Sequence, residues 1–188
     1  MESNTNSLNQ SAANNGLMVG ALSFIIGILI YYISPGLMGS TSFGILMLLV
    51  SLGLYIYFTI DLRKKIGGFW SFREALRGIF LMAFIAGLVA ALGNFVFYKF
   101  IEPGAYDKIS GIVSENLYGT YEKFGMDEET IEKTMEKVME GMKSQFNPSF
   151  MDLLKTLGTG VLIQFVMSLI FAAIFKKKQP IFASPDEE

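Results

Sequence analysis

Four long runs of apolar residues constrain this chain more than any other feature: about Leu17 to Ile33, Phe43 to Ile60, Ile79 to Tyr98 and Leu153 to Phe175, with Lys155 as the one charge among them. An α-helix rises about 1.5 Å per residue and a bilayer core is about 30 Å thick, so each run, with its flanks, is long enough to cross. In lipid a helix satisfies its own backbone hydrogen bonds, which an open sheet edge or loop does not. The fold class expected is therefore all-α: a polytopic membrane protein of four transmembrane helices, with an amphipathic helical hairpin between the third and fourth. The rest of the composition agrees, with 52% apolar residues, 17 Phe and 11 Met among 188 residues, and a mean hydropathy of +0.44. These values are too apolar for an ordinary soluble domain of this length.

The sequence contains neither Cys nor His. Disulfides, thiolate metal sites and cysteine nucleophiles are excluded. The commonest general base and commonest metal ligand are missing too, and with no phosphate loop, nucleophile elbow or zinc signature the expectation is a non-enzyme without a cofactor. The formal net charge of −2 argues against a nucleic-acid partner, because phosphate binding needs a basic surface. The partner that the sequence demands is the lipid bilayer.

Residues 1–15 are rich in Asn and Ser and have little apolar surface, so they read as a disordered cytoplasmic tail. Residues 16–178 form the single membrane domain. The first run lacks the basic flank and small-residue cleavage site of a secretory signal. Ser34-Pro35-Gly36 ends the first span. Between spans two and three, Gly67-Gly68 marks a turn and Ser71-Phe72-Arg73-Glu74 fits a capping box, so a helix starts at Phe72 and runs into the third span. Phe69 and Trp70 suit the headgroup layer. Glu102-Pro103-Gly104 ends that helix and opens a polar insert, residues 101–150. Its apolar residues keep helical spacing in two stretches, Ile109 to Phe124 and Ile131 to Phe146, broken at Gly125, with Asp127 as N-cap of the second. Asn147-Pro148 reads as N-cap and first residue of the last helix. Lys176 to Lys178 stop that helix, and residues 179–188 form an acidic cytoplasmic tail.

Orientation follows from the basic residues of the short loops. The connection between spans one and two has none, whereas that between spans two and three carries Arg63, Lys64, Lys65, Arg73 and Arg77. That cluster reads as a topology determinant, with contact to anionic lipid headgroups as a further role. Both termini are then cytoplasmic and the insert is extracytoplasmic. From Ile101 to Asp152 the insert has five Lys against eleven Asp or Glu, a balance of −6, which suits an aqueous compartment.

Gly16, Gly20, Ser23 and Gly27 line one face of the first span, and Ala83, Gly87 and Ala91 one face of the third. Such faces let helix backbones approach closely, within one bundle rather than in a dimer on the simpler reading. Asn94 and Gln164 are the amide side chains deep in the apolar runs and are expected to share an interhelical hydrogen bond. The acids from Asp127 to Glu140 lack the spacing of a calcium loop and read as a solvated helix face with Lys133 and Lys137. The stripe Ile131, Met135, Val138, Met139, Met142 and Phe146 is apolar and Met-rich, hence adaptable, and is expected to be a face for a protein partner.

The Gly-rich first span, the basic loop with Gly67-Gly68-Phe69-Trp70-Ser71-Phe72-Arg73-Glu74-Ala75, the acidic helical insert and the Lys-terminated last span resemble the bacterial membrane-protein family called domain of unknown function 4199. The resemblance runs from about Asn15 to Lys178. It implies a small bacterial inner-membrane protein and assigns no activity or site. The function expected is that of an interaction or assembly component working through its outward insert, the alternative being a small oligomeric transporter or channel component.

Overall fold

The computed structural model describes residues 2–178, so the expected acidic tail at 179–188 lies outside the described residues. Six α-helices follow one another: α1 Glu2–Ile33, α2 Thr41–Lys65, α3 Phe72–Val96, α4 Ala105–Lys123, α5 Glu128–Phe146 and α6 Phe150–Phe175. A short 3₁₀ helix, Pro35–Gly39, joins α1 to α2, and a π-helical turn, Phe97–Ile101, extends α3. The described residues contain no strand, only an isolated antiparallel bridge between Trp70 and Lys177.

Four of these helices are long and apolar enough to cross a membrane: Asn6–Ile33, Ser42–Lys65, Phe72–Ile101 and Phe150–Phe175. Their outward faces are apolar. Leu48 is 65% exposed and Leu162 69%, and Ile45, Leu46, Leu49, Ile163 and Val166 are exposed as well. In water so continuous an apolar surface would drive aggregation, whereas hydrocarbon solvates it without cost.

The third membrane helix is the centre of the bundle. α1 runs parallel to α3 along one side, with Gly16 level with Met82, Gly20 with Ala86 and Phe24 with Gly93. α6 runs antiparallel along the other, bringing Phe165 edge-on to Phe80 and Gln164 onto Gly87. α2 packs chiefly against α1.

The small-residue faces explain the closeness of the α1–α3 pair. A methyl group on Gly16 would fall 2.6 Å from the Met82 carbonyl oxygen, and one on Gly20 2.7 Å from that of Ala86. The backbones touch there, so the α1 face serves packing within the bundle. Gly27 has nothing within 4 Å of such a methyl and takes no part.

The N-terminal residues differ from the disordered reading. Glu2 to Asn15 form the first turns of α1, and Leu8, Ala12 and Asn15 are buried. The reason is a stripe at i, i+4 and i+7 that packs Leu8 and Ala12 into the same core as Leu62, Trp70 and Ile79. Asn15 then satisfies its amide between helices, donating to Phe58 O at 3.1 Å and Asp61 Oδ2 at 2.9 Å and accepting from Lys65 Nζ at 2.9 Å. The burial of these residues offsets the helix cost of the Asn and Ser between them.

Local signals that the sequence carries are present as built. Gly67 and Gly68 both have positive φ, +101° and +82°, the conformation glycine adopts most readily. Ser71 and Glu74 form a reciprocal capping box. Asp127 caps α5 by accepting from the Thr130 amide at 3.0 Å. At α6 the cap lies two residues later than expected: Ser149, not Asn147, is the N-cap, and Asp152 completes a second capping box. A Ser with an acid three residues on satisfies two amides, which an Asn followed by Pro does not.

Candidate functional sites

The end of the bundle that carries the basic loop is tied together by Trp70. Contrary to a headgroup role, Trp70 is 2% exposed and packs in the core. Its Nε1 donates to Phe175 O at 2.7 Å, and its backbone pairs with Lys177. Phe69 stays at the surface with Lys177 Nζ 5.2 Å from its ring centre. Arg63 donates to the same Phe175 carbonyl at 3.4 Å, and Lys65 pairs with Asp61 at 2.6 Å. Lys64, Arg73 and Arg77 are exposed. All five basic residues of the loop lie at this end of the bundle, beside Lys176 and Lys177.

The opposite end holds a polar junction that sequence reasoning missed. Glu102, at the joint between the π-helical turn and α4, accepts from Tyr31 Oη at 3.1 Å, from Tyr32 Oη at 3.0 Å and from Lys108 Nζ at 2.7 Å. The Lys108 bond, then those of the two tyrosines, hold the Glu102 carboxyl below its ordinary range, and the same carboxylate raises Lys108. One carboxylate therefore ties the end of α1 to the joint between α3 and α4. Beneath it Tyr31, Phe97, Tyr98 and Phe146 meet edge to face, with centroids 5.0 to 5.9 Å apart along the chain of contacts. No spacing rule links residues 31, 32, 102 and 108, although a Tyr pair ending one span and a Glu-Pro-Gly joint ending another are recognisable as interfacial polar groups.

α4 and α5 form an antiparallel hairpin, turned at Gly125 with φ +73°. Ile109, Val113 and Leu117 of α4 pack on Met142 and Phe146 of α5, with Met135, Val138 and Met139 partly buried against them. Ile131 is also buried. This corrects the expected partner face: Ile131, Met135, Val138, Met139, Met142 and Phe146 turn inward and are used by the hairpin itself. The hairpin also rests on the 3₁₀ helix. Met38 lines a cavity of about 240 Å³ together with Val113 and Leu117 of α4 and Val138 and Met142 of α5. The side of α5 left open is charged, with Glu132, Lys133, Glu136, Lys137 and Glu140 exposed, and Lys133 pairs with Glu129 at 2.5 Å.

Within the apolar part, α2 and α6 diverge over α3 and leave a groove of about 310 Å³. Leu48, Leu52 and Tyr55 form one wall, Met167 and Phe171 the other, and Ile79 and Ala83 the floor. Gln164 also borders it. Its Nε2 occupies the space a side chain at Gly87 would need, and its Oε1 is buried without a hydrogen-bond partner. Asn94 is exposed and lies nearer the hairpin, where it shares a cavity of about 300 Å³ with Ser144, Gln145, Asp152 and Thr156. Seven residues of α3 separate Asn94 from Gly87, roughly 10 Å along the axis. The expected bond between Asn94 and Gln164 is therefore absent from Gln164 Oε1, because the helix register sets them two turns apart.

Four apolar helices in a bundle, basic residues gathered at one end and an amphipathic hairpin at the other define a multi-pass helical membrane protein. The chain belongs to the family of proteins of unknown function DUF4199, whose model matches residues 14–177. No curated protein and no solved structure matched the chain.

Proposed function

We propose that this protein is a non-enzymatic assembly component of a bacterial inner membrane, with both termini cytoplasmic and the α4–α5 hairpin held on the opposite face as a fixed platform. The observation that carries this reading is the junction at Glu102, which binds the base of the hairpin to α1 while Met38 supports its underside. A surface already rigid loses little conformational freedom when a partner docks, so its contacts convert more fully into affinity. Because the Met-rich stripe is spent inside the hairpin, the partner-facing surface is the charged outer side of α5, around Glu132, Glu136, Lys137 and Glu140. The grouping of Arg63, Lys64, Lys65, Arg73 and Arg77 at the other end supports the orientation.

The test is photo-crosslinking in living cells. A photoreactive residue at Glu136 should give a discrete heavier adduct with a protein, and one at the lipid-facing Leu49 should not. No adduct from Glu136 or Lys137 would refute the platform reading. For orientation, a reporter active only in the cytoplasm should work when fused after Lys178 and fail when inserted at Gly125. Activity at Gly125 would overturn it.

A second reading, an oligomeric transporter or channel component, is favoured by the groove between α2 and α6 and by the unpaired Gln164 Oε1 on its border. Purified protein in liposomes would then carry a solute or ion flux that Gln164→Leu changes. An adduct from Leu49 at twice the chain's own mass would point the same way.

A further inference from the structure

We propose that the tip of the hairpin is seated in the bilayer, with Phe124 among the upper acyl chains of the leaflet on the hairpin's side.

The geometry starts with the direction of α4. Its first residue, Ala105, is buried in the cluster formed by Tyr31 and Tyr98, where α1 and the helix after α3 reach their ends. Two turns further along, past Ile109, Ile112 Cγ2 lies 3.4 Å from where a methyl on Gly36 would sit. At its far end, Lys123 and Phe124 border the same cavity, of about 680 Å³, as Ser40 and Ser42. Ser42 is the first residue of the second membrane span. Both ends of α4 are thus level with the ends of spans. Had its 19 residues stood away from the bundle, the tip would be roughly 28 Å from the bilayer at 1.5 Å per residue. Instead the helix lies across the end of the bundle.

Phe124 is 80% exposed. A large aromatic ring so open to water is costly, whereas the membrane interface is where aromatic side chains gather. The apolar surface of α2 begins close by, with Ile45 and Leu46 exposed within four residues of Ser42. Lys123 sits next to the ring and is exposed. Its long stem can follow the ring into the interface while the ammonium stays with the phosphates. Of the acids near the tip, Asp127 caps α5 and Glu129 pairs with Lys133, while Glu122 and Glu128 are exposed.

The absence of cysteine makes a clean test. A nitroxide label is attached to Phe124→Cys, to Lys133→Cys on α5 and to Leu49→Cys on the lipid side of α2. Each full-length variant is placed in vesicles of phosphatidylethanolamine and phosphatidylglycerol, and collision with oxygen is compared with collision with a water-soluble nickel chelate. The label at 124 should show an oxygen-to-nickel ratio several-fold above that at 133, approaching the value at 49. A ratio at 124 equal to that at 133 would overturn the proposal, since the tip would then stand in water. Protection of the 124 label from both reagents would also overturn it, by showing protein at the tip in place of lipid. Lipid-like behaviour at 49 in the same preparations separates either result from a failure of the spans to insert.

Discussion

Adding one methyl group to α1 should be costly at two glycines and harmless at a third. A Cβ at Gly20 would lie 2.7 Å from the Ala86 carbonyl oxygen and 2.8 Å from Val89 Cβ, where ordinary contact begins at 3.4 Å. The shortfall against the carbonyl is 3.4 − 2.7 = 0.7 Å, and at Gly16, against Met82, it is 3.4 − 2.6 = 0.8 Å. Neither obstacle is the mobile end of a side chain, so α1 must withdraw from α3. A gap of 0.5 to 1 Å forfeits about a quarter to a half of each van der Waals contact, and overpacking of this kind costs about 1 to 3 kcal/mol. Alanine returns up to about 1 kcal/mol through helix propensity, leaving a net loss of about 1 to 2 kcal/mol for Gly16→Ala or Gly20→Ala. Gly27→Ala meets nothing within 4 Å and should be neutral or slightly stabilising. The double variant at 16 and 20 should cost less than the sum, because one withdrawal relieves both clashes. Reversible unfolding in mixed micelles, titrated with sodium dodecyl sulfate, gives these differences directly. Equal midpoints for the 16, 20 and 27 variants would refute the close α1–α3 contact.

Three further outcomes follow from the other sites. The Glu102 junction depends on pH in a defined direction: a carboxyl held low in the folded state contributes stability that is complete above its unfolded value of about 4.3 and is lost as pH falls through the folded value. Protease resistance of the hairpin should therefore be constant from about pH 7 down to about 5 and fall below about 4, and Glu102→Gln should weaken it throughout and reduce that fall to the part contributed by the Asp127 cap of α5, which is also held low. Gln164→Met should be neutral or stabilising by up to about 1 to 3 kcal/mol in the same micelle titration, since it deletes a buried acceptor without a partner, and it should be additive with Asn94→Ala. Met142→Asp puts a charge where the side chain is 8% exposed and should open the hairpin, seen as protease cleavage near Gly125 with the four spans intact; unchanged cleavage would mean that the stripe is not packed inside.

The elements were legible where a local rule decides them. Long apolar runs gave the four spans, and Ser71-to-Glu74, Asp127 and Gly125 gave two helix starts and a turn, because capping and left-handed φ are settled within four residues. Residues 2–15 read as a tail only when polarity is weighed without periodicity. Leu8, Ala12 and Asn15 fall on one face, and their partners Leu62, Phe58 and Asp61 lie more than forty residues away. The Met-rich stripe of α5 was recognised, but an amphipathic face does not say what covers it, and here α4 does. The Glu102 junction joins groups about seventy residues apart, a relation set by how α1 packs beside α3. The same register separates Asn94 from Gln164, whose matching depths in sequence did not capture the offset of an antiparallel pair.

A hairpin fixed to the bundle across the 3₁₀ helix should be captured by pairing introduced cysteines, since the chain has no cysteine of its own. Gly36→Cys with Ile112→Cys places two thiols where a Cβ at 36 would touch the Ile112 side chain, within the reach of a disulfide. In native membranes a mild oxidant should close this bond rapidly and within one chain, giving a faster-migrating species that reductant reverses, whereas Gly36→Cys with Lys133→Cys should not close. Failure of the 36–112 pair to form, or equal closure of both pairs, would show a hairpin that moves freely of the bundle.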